Sequence, residues 1–271
     1  MHPTRRRSES GRTGRYGTMH RMRERRRGAT FLLALASAIA LTGCGTNGDV
    51  DTEASTTTEQ PSLSSRTQIT VPDDPYLLIM GDSNTEGYAA DDPTVNGYAY
   101  LVKAELGWDG AVDGVPGTGW TWGGGVDGAD ANKFSDRITR LLASGYQPNV
   151  IIFEGGENDY RLSAEQTSQA VVDTIAQARQ AWPGVQVVVM GPVAPQPLGA
   201  RLAGANDAIV RGALEAQAAV INPLRQSWFT DDNSPGFSYS DGSHLNTAGH
   251  RYLADRILAD LPGIGVVTNG D

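Results

Sequence analysis

From residue 76 onward, short apolar runs alternate with longer segments whose apolar residues recur every three or four positions. The clearest apolar runs lie at 77–80, 150–153 and 185–190, and weaker ones lie at 111–115 and 218–221. Short apolar runs bounded by turn residues predict buried strands. The longer segments predict helices at 98–106, 134–143, 164–181, 201–217 and 247–261. This alternation indicates a parallel sheet with helices on both faces, so we predict one α/β domain over residues 73–265.

The chain before this domain has a different pattern. Five arginines between Arg21 and Arg27 precede an apolar run at 29–41, which is too short to cross a bilayer and is typical of a signal peptide. The run leads into Leu-Thr-Gly-Cys44, which resembles the bacterial lipobox. We therefore predict a lipoprotein signal peptide at 1–43, lipidation of Cys44, export, and anchoring on the extracytoplasmic face of the cell membrane. The alternative is an ordinary signal peptide followed by a buried free cysteine.

Composition separates these parts of the chain further. Residues 44–72 are rich in Thr, Ser, Glu and Asp, which predicts a disordered tether. From Cys44 onward the chain has 12 Lys and Arg against 29 Asp and Glu. This acidic balance argues against a nucleic-acid partner, because phosphates would be repelled.

The first apolar run leads directly into Gly81-Asp82-Ser83. Ligands of open α/β sheets bind at the carboxyl ends of the strands, and Ser83 is predicted to stand at such an end. A serine hydroxyl in this place is a candidate nucleophile. The alternative is that Asp82 or Ser83 only caps the turn that follows.

A serine nucleophile needs a base, because its free hydroxyl is weakly nucleophilic at neutral pH. Two histidines follow Cys44, and one of them, His244, comes three residues after Asp241. A carboxylate at this spacing can hold one ring nitrogen and stabilise the imidazolium that forms. The alternative for this pair is a cap of the last helix. We interpret the other histidine, His250, as a residue that orients the loop or packs.

Acyl transfer also requires hydrogen-bond donors for the oxyanion that develops. The glycine-rich segment 113–119 follows a predicted strand, and its glycines allow a backbone N–H to approach a ligand closely. Asn158, in the segment GGEND at 155–159, offers a side-chain amide. Either feature alone is common in turns.

Taken in order, these segments resemble the four signature blocks of the SGNH/GDSL hydrolases. The matching residues are Gly81-Asp82-Ser83, Gly117, Gly156-Glu157-Asn158-Asp159 and Asp241-x-x-His244. Within the second block, Gly119 is the alternative to Gly117. The resemblance implies a flavodoxin-like three-layer α/β/α sandwich with a five-stranded parallel sheet. The ordinary α/β-hydrolase fold is disfavoured because the chain has no G-x-S-x-G motif.

The same resemblance implies a role for each residue. Ser83 is expected to be the nucleophile, His244 its general base and Asp241 the partner of that base. The N–H groups of Ser83 and Gly117 and the amide of Asn158 are expected to form the oxyanion hole. Neither a cofactor nor a metal is required.

Side chains near these blocks are candidates for contacts with the substrate. Trp120 and Trp122 follow the second block and suit a sugar-stacking wall or a mobile flap. The alternative for them is a surface loop tucked onto the core. We also predict Phe237 and Tyr239, from the loop before the Asp-His pair, and Asp82 as substrate-binding residues.

Acidic residues cluster around the third block. Glu154, Glu157 and Asp159 are interpreted as carboxylates of loops and caps. A metal site is not predicted, because no second set of ligands accompanies them.

The sequence therefore predicts an exported serine esterase with a small-molecule or glycan ester as its substrate. Short acyl esters of carbohydrates are preferred, because aromatic residues lie near the site and no long apolar stretch suggests an acyl tunnel. Lysophospholipase, thioesterase and acyltransferase activities of the same family are alternatives. Another class of alternative is a non-catalytic surface module that binds glycans. A flavin or nucleotide binder is disfavoured, because no G-x-G-x-x-G motif follows a strand.

Overall fold

The central sheet of the protein has five parallel strands. The computed structural model describes residues 66–266, and within them the strands are β1 (Tyr76–Gly81), β2 (Asp109–Gly114), β3 (Val150–Glu154), β4 (Gln186–Met190) and β5 (Ala219–Ile221). Their order in the sheet is β2-β1-β3-β4-β5, and each neighbouring pair is parallel. The next two strands in the chain, β2 and β3, therefore lie on opposite sides of β1, and the carboxyl ends of the strands around β1 form the crevice in which ligands of such sheets bind.

Helices connect these strands and cover the sheet. In the described part of the chain they are α1 (Ser83–Glu86), α2 (Pro93–Asn96), α3 (Tyr98–Leu106), α4 (Phe134–Ala143), α5 (Ala164–Ala181), α6 (Leu198–Arg201), α7 (Ala203–Glu215), α8 (Ser234–Phe237) and α9 (Thr247–Asp260). The start of α5 is fixed by a capping box. Ser163 Oγ accepts the N–H of Gln166, and Gln166 Oε1 accepts the N–H of Ser163.

Two predicted helices differ from the observed ones. The segment 201–217 is divided, because Leu202 leaves the helical backbone conformation with φ of −88° and ψ of 0° and thereby separates α6 from α7. The last helix ends at Asp260 and continues as a 3₁₀ turn at Leu261–Ile264, which contains Pro262. The other three predicted helices, at 98–106, 134–143 and 164–181, are confirmed.

Helices lie on both faces of the sheet, because successive residues of a strand point to opposite sides. Leu77 and Ile79 of β1 belong to one core with residues of α3 and α9, whereas Leu78 and Met80 belong to a second core with residues of α4, α5 and α7. The predicted flavodoxin-like α/β/α sandwich with five parallel strands is confirmed.

Residues 66–72 pack on this domain, although the sequence analysis assigned them to the tether. Arg66 forms a salt bridge with Asp260, in which Nη2 lies 2.6 Å from Oδ2. Ile69 is buried, and its N–H donates to the carbonyl oxygen of Ile264 over 2.8 Å. The predicted tether boundary at residue 72 is therefore wrong, because this polar segment carries one apolar anchor and one ion pair.

The predicted signal peptide at 1–43, Cys44 and the tether up to residue 65 lie outside the described residues. Within residues 66–266, no helix is long and apolar enough to cross a membrane.

Candidate active site

Ser83 follows the carboxyl end of β1 as the first residue of α1. The turn between them is tight, since a Cβ on Gly81 would collide with the carbonyl oxygen of Glu154 in the neighbouring strand. Asp82 caps the helix, because its Oδ1 accepts the N–H of Asn84 over 3.0 Å. The N–H of a first helical residue has no acceptor within its own helix, so the Ser83 N–H is available to a ligand.

His244 and Asp241 complete a chain of hydrogen bonds with Ser83. Ser83 Oγ lies 2.9 Å from Nε2 of His244, and Nδ1 of His244 lies 2.7 Å from Oδ2 of Asp241. A histidine that donates its Nδ1–H to a carboxylate can accept from a serine at Nε2, which is the tautomer that a general base needs. The loop is fixed locally, since Asp241 Oδ1 also accepts the N–H groups of Ser243 (2.9 Å) and His244 (3.0 Å).

These contacts hold Asp241 in its ionised form. Partial burial raises the pKa of this carboxyl, but the N–H groups of His244 and Ser243 and the His244 ring lower it by more, so the pKa lies below its ordinary value of 3.8. An ionised carboxylate beside the ring stabilises the imidazolium that forms when His244 takes a proton.

A pocket of about 360 Å³ opens at Ser83 and His244. Gly117 lines this pocket with a φ of 70°, a left-handed conformation that favours glycine. Among the described residues, nothing accepts a hydrogen bond from the Gly117 N–H. The N–H of the alternative residue, Gly119, instead donates to the carbonyl of Trp122 over 2.8 Å. The geometry therefore favours Gly117 as a donor to a ligand.

Asn158 lies in the wall of the same pocket. Its Nδ2 donates one hydrogen bond to the carbonyl of Thr118 over 2.9 Å and a longer one to Asp82 Oδ2 over 3.3 Å, which fixes the orientation of the amide. The N–H groups of Ser83 and Gly117 thus lie beside a pocket that also contains a serine–histidine pair, and the Asn158 amide joins them when its longer hydrogen bond, to Asp82, is exchanged for one to a ligand. This is the set of groups that stabilises the oxyanion of acyl transfer.

The model of the GDSL-like lipase/acylhydrolase family matches residues 79–252, a range that contains all of these side chains. The chain belongs to this family. A GDSL lipase of Mycobacterium tuberculosis is 33% identical to it over 196 residues, which cover 67% of this chain and 79% of that protein. The predicted membership of the SGNH/GDSL hydrolases is confirmed, and the protein is a hydrolase of carboxylic esters.

Solved structures share the fold of this GDSL hydrolase at low sequence identity. The inhibitor-bound aryl esterase of M. smegmatis has a TM-score of 0.52 and 16% identity, with 70% of this chain and 99% of the other covered. A carbohydrate acetylesterase from Sinorhizobium meliloti has a TM-score of 0.50 and 16% identity, with 68% and 99% covered.

Two predicted substrate-binding residues of this GDSL hydrolase lie in its interior. Trp120 is 1% exposed and packs against Phe134 and Phe153, with ring centroids 4.9 and 5.2 Å apart. Asp82 is fully buried and caps α1. Neither side chain lines the pocket. Both predictions are therefore wrong, because core packing uses the ring of Trp120 and helix capping uses the carboxylate of Asp82.

The other three candidates lie outside the wall of the pocket. The guanidinium group of Arg161 lies over the Trp122 ring, with its central carbon 3.7 Å from the ring centroid. Phe237 stacks on Tyr252, with centroids 4.5 Å apart. Tyr239 is exposed and meets the Tyr88 ring edge to face at 6.3 Å. A role of these three side chains in binding substrate remains a prediction.

Four residues that line the pocket were not predicted as site residues: Tyr88, Pro116, Leu198 and Ser243. Tyr88 lies one turn beyond Ser83, with its ring centroid 4.5 Å from that of His244. Leu198, at the start of α6, is distant in sequence from all four blocks and has no motif that points to it. Glu157 was interpreted only as a loop carboxylate.

His250 packs inside the molecule, as the sequence analysis predicts. Its Nδ1 accepts the N–H of Tyr98 over 3.3 Å, and its Nε2 donates to the carbonyl of Tyr88 over 3.0 Å. Burial lowers the pKa of this imidazole, which keeps the ring neutral. His250 thus holds the segment that carries Tyr88.

Buried carboxyls lie behind Ser83. Glu154 is the last residue of β3 and is fully buried, so its interpretation as a loop carboxylate is wrong. Its Oε2 accepts a hydrogen bond from Thr85 Oγ1 over 2.9 Å. Burial raises the pKa of Glu154 well above its ordinary value and raises that of Asp82 to about 6.

Among residues 66–266, no three His, Cys, Asp or Glu side chains are grouped so that they could hold a metal ion.

These carboxyls predict that the free energy of unfolding rises as the pH falls from 7 to about 4. The pKa of Asp82 is about 6 in the folded protein against an ordinary value of 3.8, and the pKa of Glu154 is also raised. Between these limits both carboxyls bind protons in the folded state that they do not bind in the unfolded chain, so both favour folding on acidification. The buried neutral His250, with its lowered pKa, opposes them by at most one proton, so the two carboxyls together decide the direction. Urea denaturation at several pH values measures the effect.

Glu154→Gln is expected to weaken this pH dependence, because the amide stays neutral at every pH. The matched control is Glu165→Gln on the exposed first turn of α5, which should leave the pH dependence unchanged. An identical slope in the wild type and in Glu154→Gln would contradict the prediction.

Proposed function

We propose that Ser83 is the nucleophile of a two-step hydrolysis of carboxylic esters. The observation that carries this proposal is the pair of hydrogen bonds that joins Ser83 to His244 and His244 to Asp241. Ser83 Oγ adds to the carbonyl carbon of the ester while Nε2 of His244 takes its proton. The carbonyl oxygen becomes an oxyanion, which accepts hydrogen bonds from the N–H groups of Ser83 and Gly117 and from the amide of Asn158.

The tetrahedral intermediate then breaks down to an acyl-enzyme. The alcohol leaves with the proton that His244 carries, and the acyl group stays on Ser83 Oγ. Water adds to the acyl carbonyl and gives one proton to His244. The carboxylic acid departs as this proton returns to Ser83, which restores the starting state.

We propose short acyl esters of carbohydrates as the substrate class. The pocket of about 360 Å³ is small for a ligand site, which suits a small acyl group. Its wall contains the polar side chains of Glu157 and Asn158 beside the apolar groups of Tyr88, Pro116 and Leu198. The solved carbohydrate acetylesterase with the same fold is consistent with this substrate class.

A series of p-nitrophenyl esters from acetyl to palmitoyl tests the substrate class. We expect kcat/KM to be highest for the shortest acyl groups and at least about tenfold lower for the longest, because a small pocket excludes added methylenes. Rates with Ser83→Ala supply the background for each ester. A kcat/KM that rises with chain length would replace carbohydrate esters by lipid esters and leave the proposed serine mechanism intact.

We also propose that the enzyme is exported and lipid-anchored through Cys44. The support is the arginine-rich apolar segment before this cysteine. Residues 44–65 would hold the domain roughly 25 Å from the membrane if they form a flexible coil. An unmodified Cys44, found by mass spectrometry of protein from the native host, would contradict the anchor.

A further inference from the structure

Glu157 is the acidic side chain that lines the pocket together with Ser83 and His244. One of its oxygens has a partner, since Oε1 accepts from Nδ2 of Asn84 over 2.9 Å. The same Nδ2 donates to the carbonyl of Val193 over 3.1 Å, so Asn84 is held from two sides. The carboxyl group of Glu157 is therefore fixed in position by the residue that follows the nucleophile.

The second oxygen of Glu157 is free to contact a ligand. Among the described residues, no donor forms a hydrogen bond to Oε2 and no Lys, Arg or His forms a salt bridge with this carboxyl. Glu157 is half-buried, and Oε2 is not one of the solvent-inaccessible polar atoms that lack a partner. Oε2 is thus an accessible hydrogen-bonding atom in the pocket of a proposed serine nucleophile.

The charges around Glu157 determine what kind of group it binds. Burial, together with the neighbouring carboxyls of Asp82, Glu154 and Asp241, raises the pKa of Glu157 well above its ordinary value. A neutral carboxyl donates a hydrogen bond to a hydroxyl oxygen, and an ionised one accepts from a hydroxyl, so both forms suit an uncharged alcohol. An anionic group would be repelled by these carboxyls.

We propose that Glu157 determines specificity by binding, through Oε2, a hydroxyl group on the alcohol part of the ester. The inference rests on the proposed function, because it places the scissile ester bond at Ser83. It goes further by naming the substrate feature that is recognised, a hydroxyl near the ester bond, and the atom that recognises it. A polyhydroxylated alcohol has such a group, and a simple alkyl alcohol does not.

A pair of esters that differ only in hydroxyl groups tests this proposal. The hydroxylated ester is 6-O-acetylglucose, and the other is (tetrahydropyran-2-yl)methyl acetate, which has the same ring and ester without the hydroxyls. Glu157→Met should lower kcat/KM for the first ester about fivefold to tenfold, which is the expected loss of one hydrogen bond. For the second ester the change should stay within about twofold. Glu157→Gln should restore part of the loss on the first ester, because its amide keeps a polar group at each position. The control is Glu165→Gln on the exposed first turn of α5, which should act like the wild type on both esters.

Each other outcome has a distinct meaning. An equal loss on both esters in Glu157→Met would overturn the proposal and make Glu157 a positioning residue that acts through Asn84. No loss on either ester would also overturn it. If the wild type cleaves p-nitrophenyl acetate but neither of these esters, the carbohydrate substrate class fails together with the recognition by Glu157. If the wild type cleaves none of the three, the proposed hydrolytic mechanism itself fails.

Discussion

Ser83→Ala is expected to lower kcat for ester hydrolysis by about 10⁴-fold to 10⁶-fold, because it removes the only atom proposed to bond to the acyl group. The fold should survive this change. The Oγ atom forms a hydrogen bond with His244, whereas the cap of α1 is made by Asp82 and the turn by Gly81. The melting temperature should therefore stay close to that of the wild type. Hydrolysis of p-nitrophenyl acetate under saturating conditions measures kcat.

The matched control is Ser144→Ala. Ser144 is exposed at the end of α4, and its hydroxyl donates to the carbonyl of Arg140 over 2.9 Å, so its loss should not alter kcat. A serine-directed fluorophosphonate should label the wild type and Ser144→Ala at Ser83 and should not label Ser83→Ala. Activity of Ser83→Ala within about tenfold of the wild type would place the nucleophile elsewhere.

The proposed catalytic residues were visible in the sequence because their placement follows from local rules. Ser83 directly follows a buried strand, and the carboxyl end of such a strand is where ligands bind. Asp241 and His244 are three residues apart, so a single turn can bring the carboxylate to the ring. The contact between His244 and Ser83 could not be predicted in this way, because these residues are 161 positions apart in the sequence. It depends on how α9 packs on the sheet.

The wrong predictions for Trp120 and Glu154 have the same physical cause. The type of a residue does not reveal which way its side chain points. Trp120 lies in a glycine-rich loop that indicates an exposed wall, yet its ring fills the core between Phe134 and Phe153. Glu154 is a carboxylate and was assigned to a loop. Its buried carboxyl accepts a hydrogen bond from Thr85, a residue 69 positions away in the sequence. Such partners are invisible until the tertiary structure brings them together.

The N-terminal boundary of the domain was also predicted wrongly, because tertiary contacts are not visible in the composition of a segment. Residues 66–72 have the polar composition of a tether, and composition alone predicts that they do not fold. The salt bridge from Arg66 to Asp260 and the burial of Ile69 nevertheless attach them to the end of α9. These two contacts therefore order the segment, although its average composition predicts disorder.

His244→Ala is expected to lower kcat by about 10⁴-fold to 10⁶-fold, similar to Ser83→Ala. The ring accepts from the Ser83 hydroxyl and donates to Asp241, so its removal leaves the serine as an ordinary weakly nucleophilic alcohol. The ring is partly exposed, with 23% of its side-chain surface accessible, so stability should change little. Combining Ser83→Ala with His244→Ala should lower kcat little further, because residues that act as a unit are not additive.

The second histidine supplies a control that separates catalysis from stability. His250 is fully buried and makes two hydrogen bonds, so His250→Ala should destabilise the protein by about 2–4 kcal/mol through lost hydrogen bonds and an internal cavity. Its folded fraction should lose at most about tenfold in kcat, because the ring holds the Tyr88 segment of the pocket but does not contact Ser83. Thermal denaturation and kcat are measured for both variants. The opposite pattern, with kcat lost in His250→Ala and retained in His244→Ala, would assign the base to His250 and contradict the proposed mechanism.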